Sequence, residues 1–280
     1  MSLDDPPAAA PPFAGAVRSV PFWLVDAFSG EAWRGNPAGV CVLDGPAPDA
    51  WMAAVAAEVN AAETAFLSPG AGPGEWALRW FTPATEVDLC GHATLAGAHT
   101  LWSYGLADGP LAFSTRSGVL RAEGRAGRVG LDFPALAAAP ADLPAGVSAA
   151  LGAPVRWAGR NQTNWLVELA DAAAVRALAP DMAGLVDMGA QGLIVTAQGE
   201  EGSDFVSRYF APAVGVPEDP VTGSAHCTLA PFWAARLGRD RLRGHQVSRR
   251  GGWVEVAVAG DRVVLTGEAV TVIAGAVRGW

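Results

Sequence analysis

The chain has 280 residues, 51% of them hydrophobic and 17% charged, with a formal net charge of −9. That balance describes a folded globular protein and excludes a disordered one, and the acidic charge leaves no basic stripe for a nucleic-acid phosphate backbone. Six arginines between Arg236 and Arg250 form the densest basic cluster, read as a solvated face over a helix end and loop. Three cysteines, Cys41, Cys90 and Cys227, without a C-x-x-C pair, argue against a disulfide framework and a zinc knuckle, and favour the reducing cytoplasm. No apolar run reaches the ~20 residues of a membrane span. Residues 1–18 read as a loose Pro/Ala-rich tail without the pattern of a signal peptide.

In chain order, Phe22–Phe28 and Gly39–Leu43 are apolar β-rich runs bounded by Gly, Asn and Pro. Pro48–Val59 has helical spacing opened by Pro48-Asp49. Glu63–Leu67 and Trp76–Phe81 read as strands. Ala93–Trp102 is apolar almost all round, the pattern of a buried helix. Phe113–Phe133 holds short strands separated by Ser117-Gly118 and Gly124–Gly127. The order then repeats: strand Asn164–Leu169, helix Asp171–Leu178, strands Gly192–Ala197 and Phe205–Phe210, and apolar helix Ala225–Leu237, in which Pro231 is expected to kink or restrict a turn. Strands Val254–Val258, Arg262–Thr266 and Val270–Ala274 finish the chain.

The repetition extends to residues. Arg79-Trp80-Phe81-Thr82-Pro83-Ala84 returns as Arg208-Tyr209-Phe210-Ala211-Pro212-Ala213, and Cys90-Gly91-His92-Ala93 as Thr222-Gly223-Ser224-Ala225. The offset grows from 129 residues at Arg79 to 132 at Gly91 and 134 at Arg128, matched by Arg262. A solenoid unit runs to roughly 20–50 residues, so this is a duplicated domain. The expected fold is α+β: two pseudo-symmetric domains, each a curled sheet or barrel around a central helix. Their expected extents are 19–128 and 129–267, with the last strand, about 268–280, a candidate to return to the first. A doubly wound α/β fold is disfavoured, because strands come in runs and no G-x-G-x-x-G follows the first.

Each buried helix opens at a Gly-rich turn, where unpaired N–H groups and the helix dipole favour an anion. Gly91, Gly223 and Ala225 are small enough for close approach, and two such turns make a candidate cradle for a small carboxylate-bearing substrate. Ordinary N-capping is the alternative for either turn alone. Ahead of the second turn stands Glu218-Asp219-Pro220, aligned with Val87-Asp88-Leu89, and a carboxylate there can accept a proton or tune a group that does. Glu63 enters an otherwise apolar strand, and aligning Thr64-Ala65-Phe66-Leu67 with Gly192-Leu193-Ile194-Val195 gives it the neutral Gln191 as partner. In a dry pocket such a carboxyl would rise towards neutral pH, as acid/base work requires; a solvated strand-end carboxylate is the alternative. His92 stands where the second copy has Ser224, and a histidine at a helix N-terminus tends to be neutral. His99 and His226, within apolar helices, and His245, in a polar loop, read as structural. The four histidines suggest no metal site. Cys90 is a candidate thiol acid/base, but Thr222 opposite it cannot act as its mirror image.

These motifs resemble the PhzF-like isomerase family (phenazine-biosynthesis type) of the diaminopimelate epimerase superfamily, from about Val20 onward. The resemblance is carried by Phe28 with Arg34-Gly35-Asn36-Pro37, Glu63-Thr64-Ala65-Phe66, Arg79-Trp80-Phe81-Thr82-Pro83 with Glu86-Val87, Cys90-Gly91-His92-Ala93-Thr94 and Glu218-Asp219-Pro220-Val221-Thr222-Gly223-Ser224-Ala225. It implies an active site between two similar domains, and chemistry without cofactor or metal. It implies that Glu63 moves a proton between carbons, that His92, Asp219 and Ser224 assist or bind, and that Asn36 lies in a substrate-contact motif. Diaminopimelate epimerases use two cysteines; here Cys90 matches the first and Thr222 stands at the second. The expected function is an isomerase, with a racemase or epimerase, or a non-catalytic binding or scaffold protein, as alternatives. A homodimer is compatible with the resemblance; no nucleic-acid or membrane partner is expected.

Overall fold

In the computed structural model, residues 18–280 are described except Ala126 and Glu201, so the expected tail lies outside the described residues up to residue 17. Contacts divide the chain into two compact units, one ending at Asp132 and rejoined by Gly267–Trp280, the other Phe133–Thr266.

The first unit runs β1 (Ser19–Ala27), β2 (Asn36–Val42), α1 (Asp49–Val59), β3 (Glu63–Pro69), β4 (Glu75–Phe81), β5 (Glu86–Val87), α2 (Gly91–Ser103), β6 (Leu111–Thr115), β7 (Gly118–Arg125) and β8 (Arg128–Pro134). The second runs β9 (Ala139–Pro140), α3 (Ala145–Leu151), β10 (Trp157–Arg160), β11 (Asn164–Glu168), α4 (Ala172–Ala177), α5 (Met182–Leu185), β12 (Gly192–Gln198), β13 (Phe205–Ala211), β14 (Val216–Asp219), α6 (Gly223–Leu237), β15 (Arg241–Gln246), β16 (Gly252–Ala259) and β17 (Arg262–Gly267). The chain ends in β18 (Ala269–Arg278), antiparallel to β1.

Both units use one pairing scheme. In the first, β2 lies parallel to β3, β3 antiparallel to β4, β4 antiparallel to β5 and parallel to β6, and β6 antiparallel to β7. In the second, β11, β12, β13, β14, β15 and β16 repeat those relations in order. The fold is therefore α+β with an internal duplication. The central helices are apolar all round because strands enclose them. In α2, His92 to Ala98, Thr100 and Leu101 are buried; in α6, Ala225 to Ala230, Phe232 and Trp233 are. At about 25 cal/mol per Å² of apolar surface removed from water, these two helices are principal sources of stability in their units. On one outer face of the first unit, Met52, Val55 and Ala56 of α1 pack against Cys41, Phe66 and Phe81. In the second, α3, α4 and α5 cover Trp165, Val167, Leu193, Val195 and Phe210.

Strand register corrects three readings of the sequence. Ala65 pairs with Trp80, and Ile194 with Tyr209. Since Trp80 and Tyr209 correspond, Ala65 corresponds to Ile194, and the counterpart of Glu63 is Gly192 rather than Gln191. Trp80 pairs with Val87, and Tyr209 with Asp219, so Asp219 answers Val87, and Glu218 answers Glu86. The arginine-rich stretch is only in part a helix end and loop: Arg236 lies in the last turn of α6, but Arg241, Arg243 and His245 lie in β15, and His245 stacks on Trp253 at 4.0 Å. Pro231 sits inside α6, which continues from Gly223 to Leu237.

Candidate active site

In the first unit Asn36, Glu63, Cys90 and His92 converge. Asn36 opens β2, Glu63 opens the parallel neighbour β3, and Cys90 and His92 flank Gly91 at the start of α2. The His92 Nδ1 lies 3.3 Å from the Asn36 amide nitrogen and 3.5 Å from the Cys90 Sγ. Both neighbours carry donor hydrogens, so the network assigns Nδ1 as acceptor and places the ring proton on Nε2. Nε2 stands 3.2 Å from the Glu63 carboxylate, though without the alignment of a full hydrogen bond. His92 is buried, and desolvation pushes its pKa down from 6.5 to about 3. It is therefore a neutral donor facing Glu63, whose side chain keeps 20% exposure and so remains reachable.

The Glu63 oxygen, Cys90 sulfur and His92 nitrogen lie within 4.8 Å of one another, a donor set that could hold a metal ion. Reading the histidines alone did not anticipate this trio, because its members come from two segments without ligand spacing.

The second unit assembles a different set at the equivalent helix. Asp219 ends β14, one turn before α6, and its carboxylate accepts a short hydrogen bond from the Thr222 hydroxyl. Thr222 N–H donates to the Gln246 Oε1 at 2.9 Å, while the Gln246 Nε2 donates to the Asp219 carbonyl at 2.7 Å and to the Thr222 hydroxyl at 3.2 Å. Beneath Asp219, the Tyr209 hydroxyl donates to Asn164 Oδ1 at 2.9 Å. Burial, and then the negative charge of Asp219, hold that phenol well above its ordinary pKa and so protonated. Gly223 and Ala225 are buried and Ser224 is exposed at the start of α6.

Neither Cys90 nor Thr222 places its side chain on the first N–H groups of its helix. Exposed α4 and α5, by contrast, are capped by the carboxylates of Asp171 and Asp181. Glu218 has a different role from the one its position suggested: it forms a two-pronged pair with Arg208, at 2.7 and 3.0 Å. Glu86 and Arg79 repeat that pair at 2.7 and 2.7 Å in the first unit. This is shared scaffold, so Asp219 is the acidic residue peculiar to the second turn. Gln246 was not singled out from the sequence, and Thr222 and Tyr209 stood out in it only as the repeat partners of Cys90 and Trp80; a glutamine at a strand end carries no signal of its own.

The buried histidines predict a pH response. Desolvation holds His226 at a pKa of about 4, against a smaller opposing effect of its hydrogen bond with the Thr222 carbonyl. With the folded pKa lowered, the unfolded chain takes up protons first as pH falls. Stability is thus full above about 6.5 and declines towards pH 4, by about 2 kcal/mol for His226 at pH 5. Urea unfolding at pH 8 and pH 5 should show this loss, and His226→Asn should flatten the slope.

Comparison with known proteins agrees with this architecture. The family model described as phenazine biosynthesis-like protein matches residues 25–275. An uncharacterized isomerase of Halalkalibacterium halodurans is 44% identical over 261 residues, covering 92% of this chain and 98% of that protein. One from Pseudomonas aeruginosa is 46% identical over 259 residues, with coverage of 92% and 98%. A crystal structure of a phenazine biosynthesis protein of the PhzF family from Enterococcus faecalis is 40% identical and superposes with a TM-score of 0.89, over 93% of this chain and 99% of that one. No described helix is long and apolar enough to cross a membrane. The chain belongs to the phenazine biosynthesis-like, or PhzC-PhzF, family and is an isomerase of it.

Proposed function

We propose that this isomerase shifts a proton between carbons of a small carboxylate-bearing substrate by general acid/base catalysis, with Glu63 as the group that carries the proton. The observation that carries this reading is the contact between the Glu63 carboxylate and neutral His92 at the head of α2. A reachable carboxylate can take a proton from carbon and return it to another. The His92 Nε2–H steadies the carboxylate without competing for its proton, because an imidazole of pKa about 3 stays neutral throughout. Asn36 and Cys90 hold that tautomer. In the first unit the N–H groups of Gly91 and His92 supply substrate-carboxylate contacts; in the second, the N–H groups of Gly223, Ser224 and Ala225 offer the same at the start of α6, where Asp219 is the acid/base group. Two-thiol racemisation is disfavoured because Thr222 occupies the position equivalent to Cys90.

The test is hydrogen exchange with solvent. Carboxylate metabolites that raise the melting temperature would be incubated with the enzyme in deuterated water and followed by NMR. One substrate should gain deuterium at a single carbon and convert to a positional isomer. Conversion to a stereoisomer would instead mark a racemase. Stabilising carboxylates that never exchange would mark a binding protein.

The proposed chemistry needs no metal. Dialysis against a strong chelator should leave deuterium incorporation unchanged. Activity lost on chelation and restored by Zn2+ would replace the metal-free mechanism and make Glu63, Cys90 and His92 the first ligands to test.

A further inference from the structure

The duplication provides an internal control, because scaffold contacts common to both units can be subtracted. The Arg–Glu pairs are common. So is a serine that ties down the turn before the central helix: Ser117 donates to the Asp88 carbonyl at 2.7 Å, and Ser248 to the Pro220 carbonyl at 2.8 Å. Parallel register sets Ala77 opposite Ser114 and Val206 opposite His245, so Gln246 corresponds to Thr115. With those contacts removed, three of the differences that remain around the turn belong together. Val87, Cys90 and Thr115 of the first unit are replaced by Asp219, Thr222 and Gln246 of the second. These three residues make a network that the first unit, with Val87, Cys90 and Thr115 in their places, does not form.

The network has a direction. Gln246 is fully buried. Its oxygen accepts from the Thr222 N–H, which fixes the amide so that its NH2 faces the Asp219 carbonyl and the Thr222 oxygen. That oxygen thereby accepts the amide N–H on one side, and its hydrogen points the other way, onto the Asp219 carboxylate. A hydroxyl that would otherwise rotate freely is set as a donor to a carboxylate, and a donor to the charged form favours that form. Ordinary N-capping does not explain the arrangement, since Thr222 places no side-chain bond on its own helix.

We propose that Thr222 is a positioning residue, aimed by Gln246, that holds the Asp219 carboxylate charged and in fixed orientation for the reaction. The inference rests on Asp219 taking part in proton transfer as proposed above. Its test therefore needs no substrate: the full-length protein carrying 13C-labelled aspartate is titrated by NMR, and the Asp219 signal is assigned by its absence in Asp219→Asn. Thr222→Val removes the hydroxyl at nearly constant shape and should move the Asp219 midpoint upward by about one pH unit or more. Thr222→Ser keeps the hydroxyl and should restore the wild-type midpoint. Gln246→Thr, which installs the residue of the first copy, should move it in the same direction as Thr222→Val. An unmoved midpoint in Thr222→Val, or Thr222→Ser behaving like Thr222→Val, overturns the proposal; an unmoved midpoint in folded Gln246→Thr overturns the aiming role. The Thr222 pair decides the matter if Gln246→Thr does not fold. Failure here leaves the exchange of substrate hydrogen with solvent untouched, and failure of that exchange leaves the titration untouched, so the two readings fall separately.

Discussion

Replacing Glu63 by glutamine should lower turnover about 1,000-fold or more while leaving substrate affinity within about tenfold. The amide matches the carboxylate in size at the start of β3 and keeps an oxygen facing the His92 Nε2–H across the 3.2 Å that separates the groups. It cannot take a proton from carbon. The measurement pairs calorimetry of the carboxylate ligand with the rate of deuterium uptake. Binding lost together with turnover, in a protein that still melts normally, would make Glu63 a ligand contact. Deuterium uptake at the wild-type rate would remove it from the mechanism and return attention to Cys90 and Asp219.

The other large effect concerns folding and lies at the position corresponding to Glu63 in the second unit. Gly192→Ala should destabilise the protein by about 2–4 kcal/mol. A methyl group there would stand 2.2 Å from the Tyr209 hydroxyl and 2.3 Å from its Cζ, so the ring must move. The ring is poorly free to do so, because it is buried and its hydroxyl donates to Asn164. Gly45→Ala is the control: nothing lies within 4 Å of the added carbon, and stability should stay within about 0.5 kcal/mol. Equal urea midpoints for the two variants would show that Tyr209 yields easily and that the glycine is not needed for its seat. The pair also restates the asymmetry of the duplication. One unit spends this strand position on a reachable carboxylate, and the other leaves it empty so that a phenol can reach Asn164.

Much of this was legible in the sequence. The repeat of Arg79-Trp80-Phe81 as Arg208-Tyr209-Phe210 announced a duplicated α+β fold, because strand-length apolar runs and an all-apolar helix recurred in the same order. Gly91 and Gly223 marked the starts of α2 and α6, since helix termini depend on local chemistry that a short motif carries. Glu63 and His92 stood out as polar residues in apolar surroundings. Register was decided only by the tertiary structure. Sliding a strand by one residue costs nothing in a sequence alignment and turns every side chain to the opposite face. Alignment therefore gave Glu63 the partner Gln191, where cross-strand pairing gives Gly192, and it hid the equivalence of Glu86 with Glu218. The Asn36–His92–Glu63 contacts span two strands and a helix start, and the Asp219–Thr222–Gln246 network joins residues 27 positions apart. Local composition fixes which elements form and where they end; which polar groups meet depends on long-range pairing, whose energy comes from buried surfaces contributed by distant parts of the chain.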